Sequence, residues 1–397
     1  MAVLNSESKV LIIGSGVSGL SLAQILRKES IPFEIYERDD GTRSQGWTIS
    51  LDHCLDRLFP LLPRDITSIY NASANNAIGL EDGMAFYDGT KHQLLGVVGN
   101  VEKGFPGHNI CASRGRFREI LSEKLDIQFK KRATKYESDA DGVTVYFDDG
   151  SIARGAILVA ADGANSTVRG QLIPGFKSTP STSVAIHGNI LLTKDKYAPI
   201  VANGHSGVVM GDVGLKFYMV VLEFYPDDAT ALFNWNCSFR SQDSYADYEW
   251  TQTATPKSLH EKVLGLIAHF PPFVVEPIAT AGPSCVHQPP VGLFETVLPL
   301  QGLPRGPVTL VGDSAHSMVP FRGMGANTAI MDACDLGEAL IEGIKTSAPI
   351  LSVLKSYEDL IIPRGRQKVL ESRATGESGD GAELAGGRLS DHSTGTE

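Results

Sequence analysis

The sequence has little that would support a disulfide framework, a nucleic-acid surface or a membrane span. Its five cysteines are scattered and form no C-x-x-C pair, which argues against a redox disulfide, a zinc site and a secreted disulfide scaffold. Acidic residues outnumber basic ones by 46 to 35, and no dense basic tract offers a phosphate-binding surface. No run approaches the roughly 18 apolar residues of a membrane helix, and no cleavable leader pattern is present. We therefore expect a cytoplasmic protein with reduced thiols, no metal site, no membrane anchor and no nucleic-acid partner.

What the chain does contain is the composition of a globular protein. Of its 397 residues, 42% are hydrophobic and 20% are charged. At roughly 100–200 residues per domain, this length allows two to four domains or one large body with a second layer inserted. The 41 glycines indicate many tight turns or close backbone approaches, as in proteins that bind a large cofactor.

The first 37 residues predict a complete strand-turn-helix-strand unit. Residues 9–13 are apolar and β-branched, the sequence GSGVSG follows at 14–19, and a helical pattern runs over 20–28. A second strand at 33–36 ends on Glu37. Such a G-x-G-x-x-G, placed between a strand and a helix, is the fingerprint of a dinucleotide site.

Each residue of this fingerprint has a physical task. Gly14 permits the tight turn, Gly16 lets the pyrophosphate approach the backbone, and Gly19 lets the helix pack against the strand. Glu37 follows Gly14 by 23 residues, close to the spacing expected for a carboxylate that accepts from the ribose hydroxyls. This acid suits NAD and FAD equally well, so later motifs must decide between them.

Two later segments also place an aspartate at a strand end. VAADGANSTVR at 159–169 contains Asp162, and LVGDSAHSMVP at 310–320 contains Asp313. GMGAN at 323–327 then leads into a predicted helix. Together with GSGVSG and Glu37, these segments resemble the class A FAD-dependent monooxygenases, the para-hydroxybenzoate hydroxylase-like aromatic hydroxylases. The resemblance covers most of residues 9–175 and 305–345.

The resemblance implies an α/β fold with a Rossmann-like FAD-binding domain, a β-sheet substrate domain and C-terminal helices. Both domains are expected to be discontinuous. The FAD-binding domain comprises residues 1–80, 100–175 and 290–345, and the substrate domain comprises 81–99 and 176–289. A C-terminal helix at 346–371 and a disordered tail at 372–397 complete the predicted organisation.

The resemblance also implies which residues contact FAD. In this role Asp313 would bind the ribityl chain, Pro320 would lie against the isoalloxazine ring, and the helix after it would face the pyrimidine edge. Arg43, Gly46 and Trp47 lie in the loop after Glu37, where the resemblance implies a contact with the adenosine or the flavin. The implied contacts are Gly14, Gly16, Gly19, Glu37, Arg38, Gly46, Arg114, Asp162, Asp313, Pro320, Gly325, Ala326 and Asn327.

Other residues are assigned less direct tasks. Arg169 is a candidate partner for Asp162 or for the phosphates of a transient nicotinamide cofactor, and His316 is expected to position the loop around it. The predicted antiparallel strands over 184–240 should supply the substrate pocket. Their candidate substrate contacts are His187, Tyr218 and Trp235, with Phe224 and Tyr225 as further aromatic candidates. No catalytic acid or base stands out.

The implied activity is an NAD(P)H- and O₂-dependent hydroxylation, through a flavin C4a-hydroperoxide, of a phenolic, aromatic or polyketide-like small molecule. The same cofactor chemistry could instead give epoxidation, ring expansion or oxidative dearomatisation of a secondary metabolite. A flavin dehydrogenase or oxidase and a catalytically silent FAD-binding scaffold are further alternatives. The sequence leaves open the substrate, the choice between NADH and NADPH, and whether the protein is a monomer or a homodimer.

Overall fold

The computed structural model of the chain describes residues 2–42, 46–99, 109–225, 229–290 and 292–378. Its strands, in chain order, are β1 (Val10–Ile13), β2 (Phe33–Tyr36), β3 (Thr48–Leu51), β4 (Gly83–Asp88), β5 (Gln93–Gly99), β6 (Ile110–Ser113), β7 (Ile127–Gln128), β8 (Ala133–Asp139), β9 (Gly142–Phe147), β10 (Ile152–Gly155), β11 (Ile157–Ala160), β12 (Thr179–Pro180), β13 (Ser183–Thr193), β14 (His205–Asp212), β15 (Leu215–Tyr225), β16 (Thr230–Arg240), β17 (Phe294–Glu295) and β18 (Val308–Leu310).

The helices connect and cover these strands. They are α1 (Val17–Lys28), α2 (Cys54–Leu61), α3 (Arg114–Ser122), α4 (Thr167–Leu172), α5 (Lys194–Val201), α6 (Ser244–Thr253), α7 (Pro256–Ile267), α8 (Pro272–Ala281), α9 (Asp313–His316), α10 (Met324–Lys345) and α11 (Ile350–Ser378). Short 3₁₀ turns occur at Ile69–Ala72, Asn76–Ile78, Gly282–Cys285 and Pro320–Arg322.

A five-stranded parallel sheet forms the centre of the first layer, in the order β18-β11-β1-β2-β7. Its middle strands β1 and β11 are fully buried apolar runs, as strands covered on both faces require. Helices α1 and α10 pack against this sheet and against each other, and Gly337 makes their contact close. A Cβ there would stand 2.6 Å from Cγ2 of Ile25.

A six-stranded sheet forms the second layer, in the order β13-β16-β15-β14-β4-β5. Its pairs are antiparallel except for β14 and β4, which run parallel. Apolar side chains of α5, α7 and α8 pack on one face of this sheet and form the second core with it. Because side chains alternate along a strand, the other face presents a different set of residues.

These sheets confirm the predicted α/β fold with a Rossmann-like layer and a separate β-sheet layer. The strands of the six-stranded sheet come from residues 83–99 and 183–240, which alternate along the chain with the segments that supply the parallel sheet. Strands β12 and β17 pair with each other although they lie on either side of residues 183–240 in the chain.

One expectation about the C-terminus is wrong. The helix predicted for 346–371 is α11, which begins at Ile350 and continues to Ser378, so residues 372–378 are helical rather than a disordered tail. Tertiary contacts hold this end of the helix, because the Lys216 ammonium donates to the Thr375 carbonyl. Gly376 lies against the Phe321 ring, from which an added Cβ would be 2.6 Å away. Residues 379–397 lie outside the described part of the chain.

The described residues show the character of the helices with respect to a membrane and the state of the cysteines. Over those ranges, no helix combines the length and the apolar character needed to cross a bilayer. All five cysteines fall within them, and each is a buried free thiol.

Candidate cofactor and substrate site

A cavity of about 480 Å³ lies where the two layers meet. It is lined by the starts of α1 and α10, the loops after β11 and β18, the β3 and β6 segments, and one face of the six-stranded sheet. Eight predicted site residues line it: Gly16, Arg114, Asp313, Pro320, Gly325, Ala326, His187 and Tyr218. The other eight are not among the described lining residues: Gly14, Gly19, Glu37, Arg38, Gly46, Asp162, Asn327 and Trp235.

The glycines of the first loop divide into two kinds. Gly14 has φ +110°, and a Cβ there would stand 2.2 Å from the Ala161 carbonyl oxygen, so this position tolerates only glycine. Gly19 is equally enclosed, since its Cβ would meet the Gly14 carbonyl at 2.1 Å. Gly16 is different because a Cβ there would meet only the Ala161 oxygen, at 4.0 Å, and would otherwise extend into the cavity.

Two helices begin at the cavity, and a glycine precedes each of them. Gly16 is the N-cap of α1, and Gly323 is the N-cap of α10. A glycine has no side chain that could accept from the first helical N–H groups, which therefore remain as donors toward the cavity. The positive ends of two helix dipoles thus meet one space, an arrangement suited to a pyrophosphate or another anion.

Glu37 follows β2 and holds the glycine loop in place. Its Oε2 accepts from the Ser15 N–H at 2.8 Å and from Ser15 Oγ at 3.0 Å, and its Oε1 accepts from the Asp39 N–H. Burial raises the pKa of Glu37, but these hydrogen bonds and the Arg118 charge outweigh burial and hold the pKa below its usual value. The carboxylate is therefore charged, while Arg38 beside it is exposed.

Arg118 is a site residue that the sequence reasoning missed. It lies one helical turn after Arg114 on α3, and its guanidinium donates to Ser15 at both the carbonyl oxygen and Oγ. The four-residue spacing of the two arginines was the available signal, because it places both on one face of a helix. Arg118 consequently brings a positive charge to the loop that begins α1.

Arg114 and the loop before β3 form another part of the cavity wall. The Arg114 guanidinium carbon lies 5.4 Å from the Trp47 ring centroid, a cation–π contact between two lining residues. Gly46 permits a close approach to β13, since a Cβ there would stand 2.6 Å from Asn189 Nδ2. Arg43, the third candidate in this loop, lies outside the described residues.

Asp162 and Arg169 organise the turn after β11 separately. Asp162 Oδ2 accepts from the backbone N–H groups of Thr167 and Val168 at the start of α4. Burial is the main cause that raises the pKa of Asp162 above its usual value. The buried Arg169 donates to the carbonyl oxygens of Ser314 and Ala164. The Arg169 guanidinium is therefore directed to carbonyls that tie this turn to the loop after β18, and Asp162 acts on it as a nearby negative charge.

The loop after β18 exposes Asp313 to the cavity and anchors its other side chains inside. His316 is buried and its Nε2 lies 2.5 Å from Oδ2 of Asp332, on α10. Asp332 also accepts from the Gly312 N–H at 2.9 Å and from Arg364 at 2.8 Å. This network holds the backbone on both sides of Asp313, which is the positioning task predicted for His316.

Asn327 is buried, and its side chain fixes the start of α10. Its Oδ1 accepts from the Asp52 N–H, while its Nδ2 donates to the carbonyl oxygens of Ser50 and Gly323. These bonds join the end of β3 to the N-terminus of α10. The side chain thus contributes to the site through the position of the helix, whereas Gly325 and Ala326 line the cavity themselves.

The six-stranded sheet places the three predicted substrate contacts on opposite faces. His187 and Tyr218 line the cavity. Trp235 is fully buried in the second core and stacks on Phe217, with ring centroids 6.4 Å apart. The prediction for Trp235 is therefore wrong, because alternation along β16 directs its neighbours Asn234 and Asn236 to the cavity and the indole away from it.

The combined features fit a flavin dinucleotide. Gly16, Gly163 and Gly325 line the cavity, and a Cβ at any of them would meet no protein atom closer than 3.8 Å, so each leaves room for a ligand. The exposed Asp313 carboxylate adds an acceptor for ligand hydroxyl groups. Two helix N-termini, a close backbone approach and this acceptor are what a pyrophosphate joined to a polyhydroxyl chain requires.

Comparison with known proteins identifies the family. The FAD binding domain family matches residues 117–372, well over half of the chain. The FAD-dependent monooxygenase thnD of Trichoderma harzianum is 32% identical over 386 residues, which cover 92% of each protein.

Solved structures share the fold. The structure of HpxO from Klebsiella pneumoniae with FAD and uric acid has a TM-score of 0.73 at 23% identity, covering 97% of this chain and 92% of that one. The structure of 2,6-dihydroxypyridine-3-hydroxylase from Arthrobacter nicotinovorans also has a TM-score of 0.73, at 15% identity, covering 95% and 94%. The glycine loop, the two aspartate turns and these likenesses lead to one conclusion: the chain belongs to the class A flavin monooxygenase family and is an FAD-dependent monooxygenase.

Proposed function

We propose that this enzyme uses NAD(P)H and O₂ to hydroxylate a phenolic or related aromatic small molecule. The observation that carries the proposal is the single cavity that joins the dinucleotide features to one face of the six-stranded sheet. A cofactor held on the first side would have its reactive end beside a substrate bound on the second. Proximity of this kind supplies much of the acceleration in a reaction between two bound partners.

The cofactor would be held by residues from both ends of the chain. The N–H groups after Gly16 would bind the pyrophosphate, and Glu37 would accept from the adenosine ribose. Asp313 would accept from the ribityl hydroxyls, and Pro320 would lie against the ring system. Arg114 would add a positive charge at the wall between them.

When bound, FAD supplies the redox chemistry by taking electrons from NAD(P)H and activating O₂. The protein's part is electrostatic and steric. The N-terminus of α10, where Gly325 and Ala326 line the cavity, would stabilise negative charge on the reduced cofactor. The apolar lining from Phe86, Val209 and Met318 would exclude water, which otherwise diverts activated oxygen to hydrogen peroxide.

The substrate side supports an aromatic ligand rather than a flexible aliphatic one. The sheet face combines flat apolar contacts with hydrogen-bonding groups, the mixture that orients a planar ring bearing hydroxyls. An electron-donating hydroxyl would activate the ring carbon that receives the oxygen atom. Oxygen transfer to that carbon requires no ionised side chain from the protein.

The test measures whether an oxygen atom of O₂ is incorporated into the product. The purified protein, reconstituted with FAD, is reduced by NADPH or NADH and then mixed with isotopically labelled O₂ and a panel of phenols. We expect label from O₂ in the product, with hydrogen peroxide as the minor product. Asp313→Ala should weaken FAD binding, while Asp195→Ala, an exposed aspartate on α5, should not. Product without label, or hydrogen peroxide alone with every phenol, would contradict the proposal.

A further inference from the structure

One row of side chains crosses the cavity face of the six-stranded sheet and changes from polar to apolar along its length. The strand register pairs His187 with Asn236 and Asn236 with Tyr218. It continues from Tyr218 to Val209 and from Val209 to Phe86. All five line the cavity, and neighbours in such a row stand about 5 Å apart. We call His187, Asn236 and Tyr218 the polar row, and the remaining two residues its apolar continuation.

The polar row is uncharged at neutral pH. Burial and the neighbouring His287 lower the pKa of His187 to about 4, so its imidazole is neutral. Burial raises the pKa of Tyr218, so its hydroxyl keeps its proton. Asn236 carries an amide and has no charge to lose. The row therefore presents neutral donors and acceptors only.

Neighbouring contacts fix the direction of these groups. Ser238 Oγ donates to Asn236 Oδ1 at 2.6 Å, which leaves the amide nitrogen as the donor that Asn236 offers a ligand. The His187 ring meets the His287 ring edge to face, with centroids 5.3 Å apart and planes at 89°. It makes a similar contact with Trp47, at 6.3 Å. His187 and Asn236 are thus held in position before a ligand arrives.

The cations of the cavity are engaged elsewhere. Among the described lining residues, the lysine and arginine side chains are Lys216 and Arg114. The Lys216 ammonium donates to the Thr375 carbonyl and lies 4.2 Å from the Phe321 ring centroid. Arg114 lies over Trp47. A carboxylate bound at the polar row would contact neutral groups there and would have to draw one of these two cations from its present partner, so it would recover less of the hydration free energy that it loses.

We propose that the polar row binds the oxygen substituents of an uncharged hydroxylated aryl ketone, while Val209 and Phe86 contact its ring, so that an aromatic carboxylate of the same size is rejected. This inference rests on the proposed function and names the substrate class for that same cavity. It assigns Asn236 and Tyr218 as specificity-determining residues. Neutral hydrogen-bonding groups tolerate a ketone and a hydroxyl, which carry no charge to desolvate.

Equilibrium binding to the FAD-loaded enzyme tests this inference without turnover. The probes are resacetophenone and β-resorcylate, which share a ring and both hydroxyls but differ in a methyl ketone against a carboxylate. The change in flavin absorbance on titration gives each Kd. We expect the ketone to bind at least about 10-fold more tightly than the carboxylate.

Variants then assign the discrimination to the row. Asn236→Leu and Tyr218→Phe should each weaken ketone binding by about 3- to 10-fold, the effect of removing one neutral hydrogen bond. Asn71→Leu and Tyr245→Phe make the same chemical changes at exposed positions and should leave the Kd unchanged.

Three results would overturn the inference. They are equal or tighter binding of β-resorcylate, no effect of Asn236→Leu and Tyr218→Phe, and no ketone binding by an enzyme that NADPH still reduces. A protein that fails to bind FAD, or whose FAD is not reduced, refutes the proposed function instead. The two failures are distinguishable because cofactor binding and reduction are measured before any probe is added.

Discussion

Gly14 and Gly16 stand two residues apart in one loop. Alanine at Gly14 should mainly lower the stability of the protein, whereas alanine at Gly16 should mainly weaken FAD binding. At Gly16 the backbone has φ −74°, which alanine adopts freely, and the new Cβ would stand 4.0 Å from the Ala161 carbonyl oxygen. The free energy of unfolding should therefore change by less than about 1 kcal/mol, the difference between glycine and alanine at an N-cap. At Gly14, φ +110° and a 2.2 Å clash should cost more than about 3 kcal/mol.

FAD affinity separates the structural effect from the functional one. The Gly16→Ala methyl group would stand between the α1 N-terminus and a bound pyrophosphate, so backbone hydrogen bonds to the phosphates would lengthen. We expect at least a 10-fold rise in the FAD Kd, equivalent to about 1.4 kcal/mol. Urea unfolding of the FAD-free protein and titration of flavin fluorescence measure the two quantities. A Gly16→Ala protein that binds FAD as tightly as the parent would refute the assignment of this loop to the pyrophosphate.

Three further substitutions test the roles of Asn327, the His316–Asp332 pair and Trp235. Asn327→Ala removes three hydrogen bonds of a buried side chain and should lower the free energy of unfolding by about 2–3 kcal/mol; an unchanged urea midpoint would contradict its anchoring role. Burial lowers the pKa of His316, but the Asp332 carboxylate outweighs burial, so the pKa is raised above its usual value. Because the protonated imidazole is the form that Asp332 stabilises, the stability that this pair contributes should be lost as the pH rises through the raised pKa. Asp332→Asn should therefore flatten the alkaline decline in urea midpoint, and an equal slope in both proteins would exclude the pair as its cause. Trp235→Phe should cost about 1–3 kcal/mol of stability without changing the Kd of resacetophenone, and a changed Kd would place the indole at the ligand after all.

The dinucleotide half of the site could be predicted because its signals are local. The strand, the glycine loop, the helix and Glu37 follow one another within 37 residues, and each has its own physical requirement. The two aspartate turns are equally short. Their meeting in space follows from the parallel sheet, where β1, β11 and β18 are neighbours and end on the same side.

The substrate face was harder because it depends on which way each strand faces. The sequence of β16 alternates Phe233, Asn234, Trp235, Asn236 and Cys237, and this alternation was the signal that placed the indole with the apolar set. Selecting residues by aromatic character alone chose the wrong face for it. The pairing of β16 with β13 and β15, which builds the polar row, is a long-range fact that no short pattern contains.

The end of α11 shows how tertiary contact can override composition. Residues 372–378 contain no aromatic or large apolar side chain, so they predict a tail when considered alone. In the structure Arg373 pairs with the buried Glu295 at 2.7 Å, and Lys216 binds the Thr375 carbonyl. These contacts come from β17 and β15, far away in the chain, and hold the last helical turns against the cavity loop.

The most direct test of the central claim is the absorption spectrum of the purified protein, with FAD added where needed, during anaerobic addition of NADPH or NADH. We expect flavin bands that bleach, bleach faster when a bound phenol is present, and return on admission of O₂. A protein that shows no flavin bands after FAD addition, or bands that neither nicotinamide bleaches with any phenol, would contradict the assignment as a flavin monooxygenase.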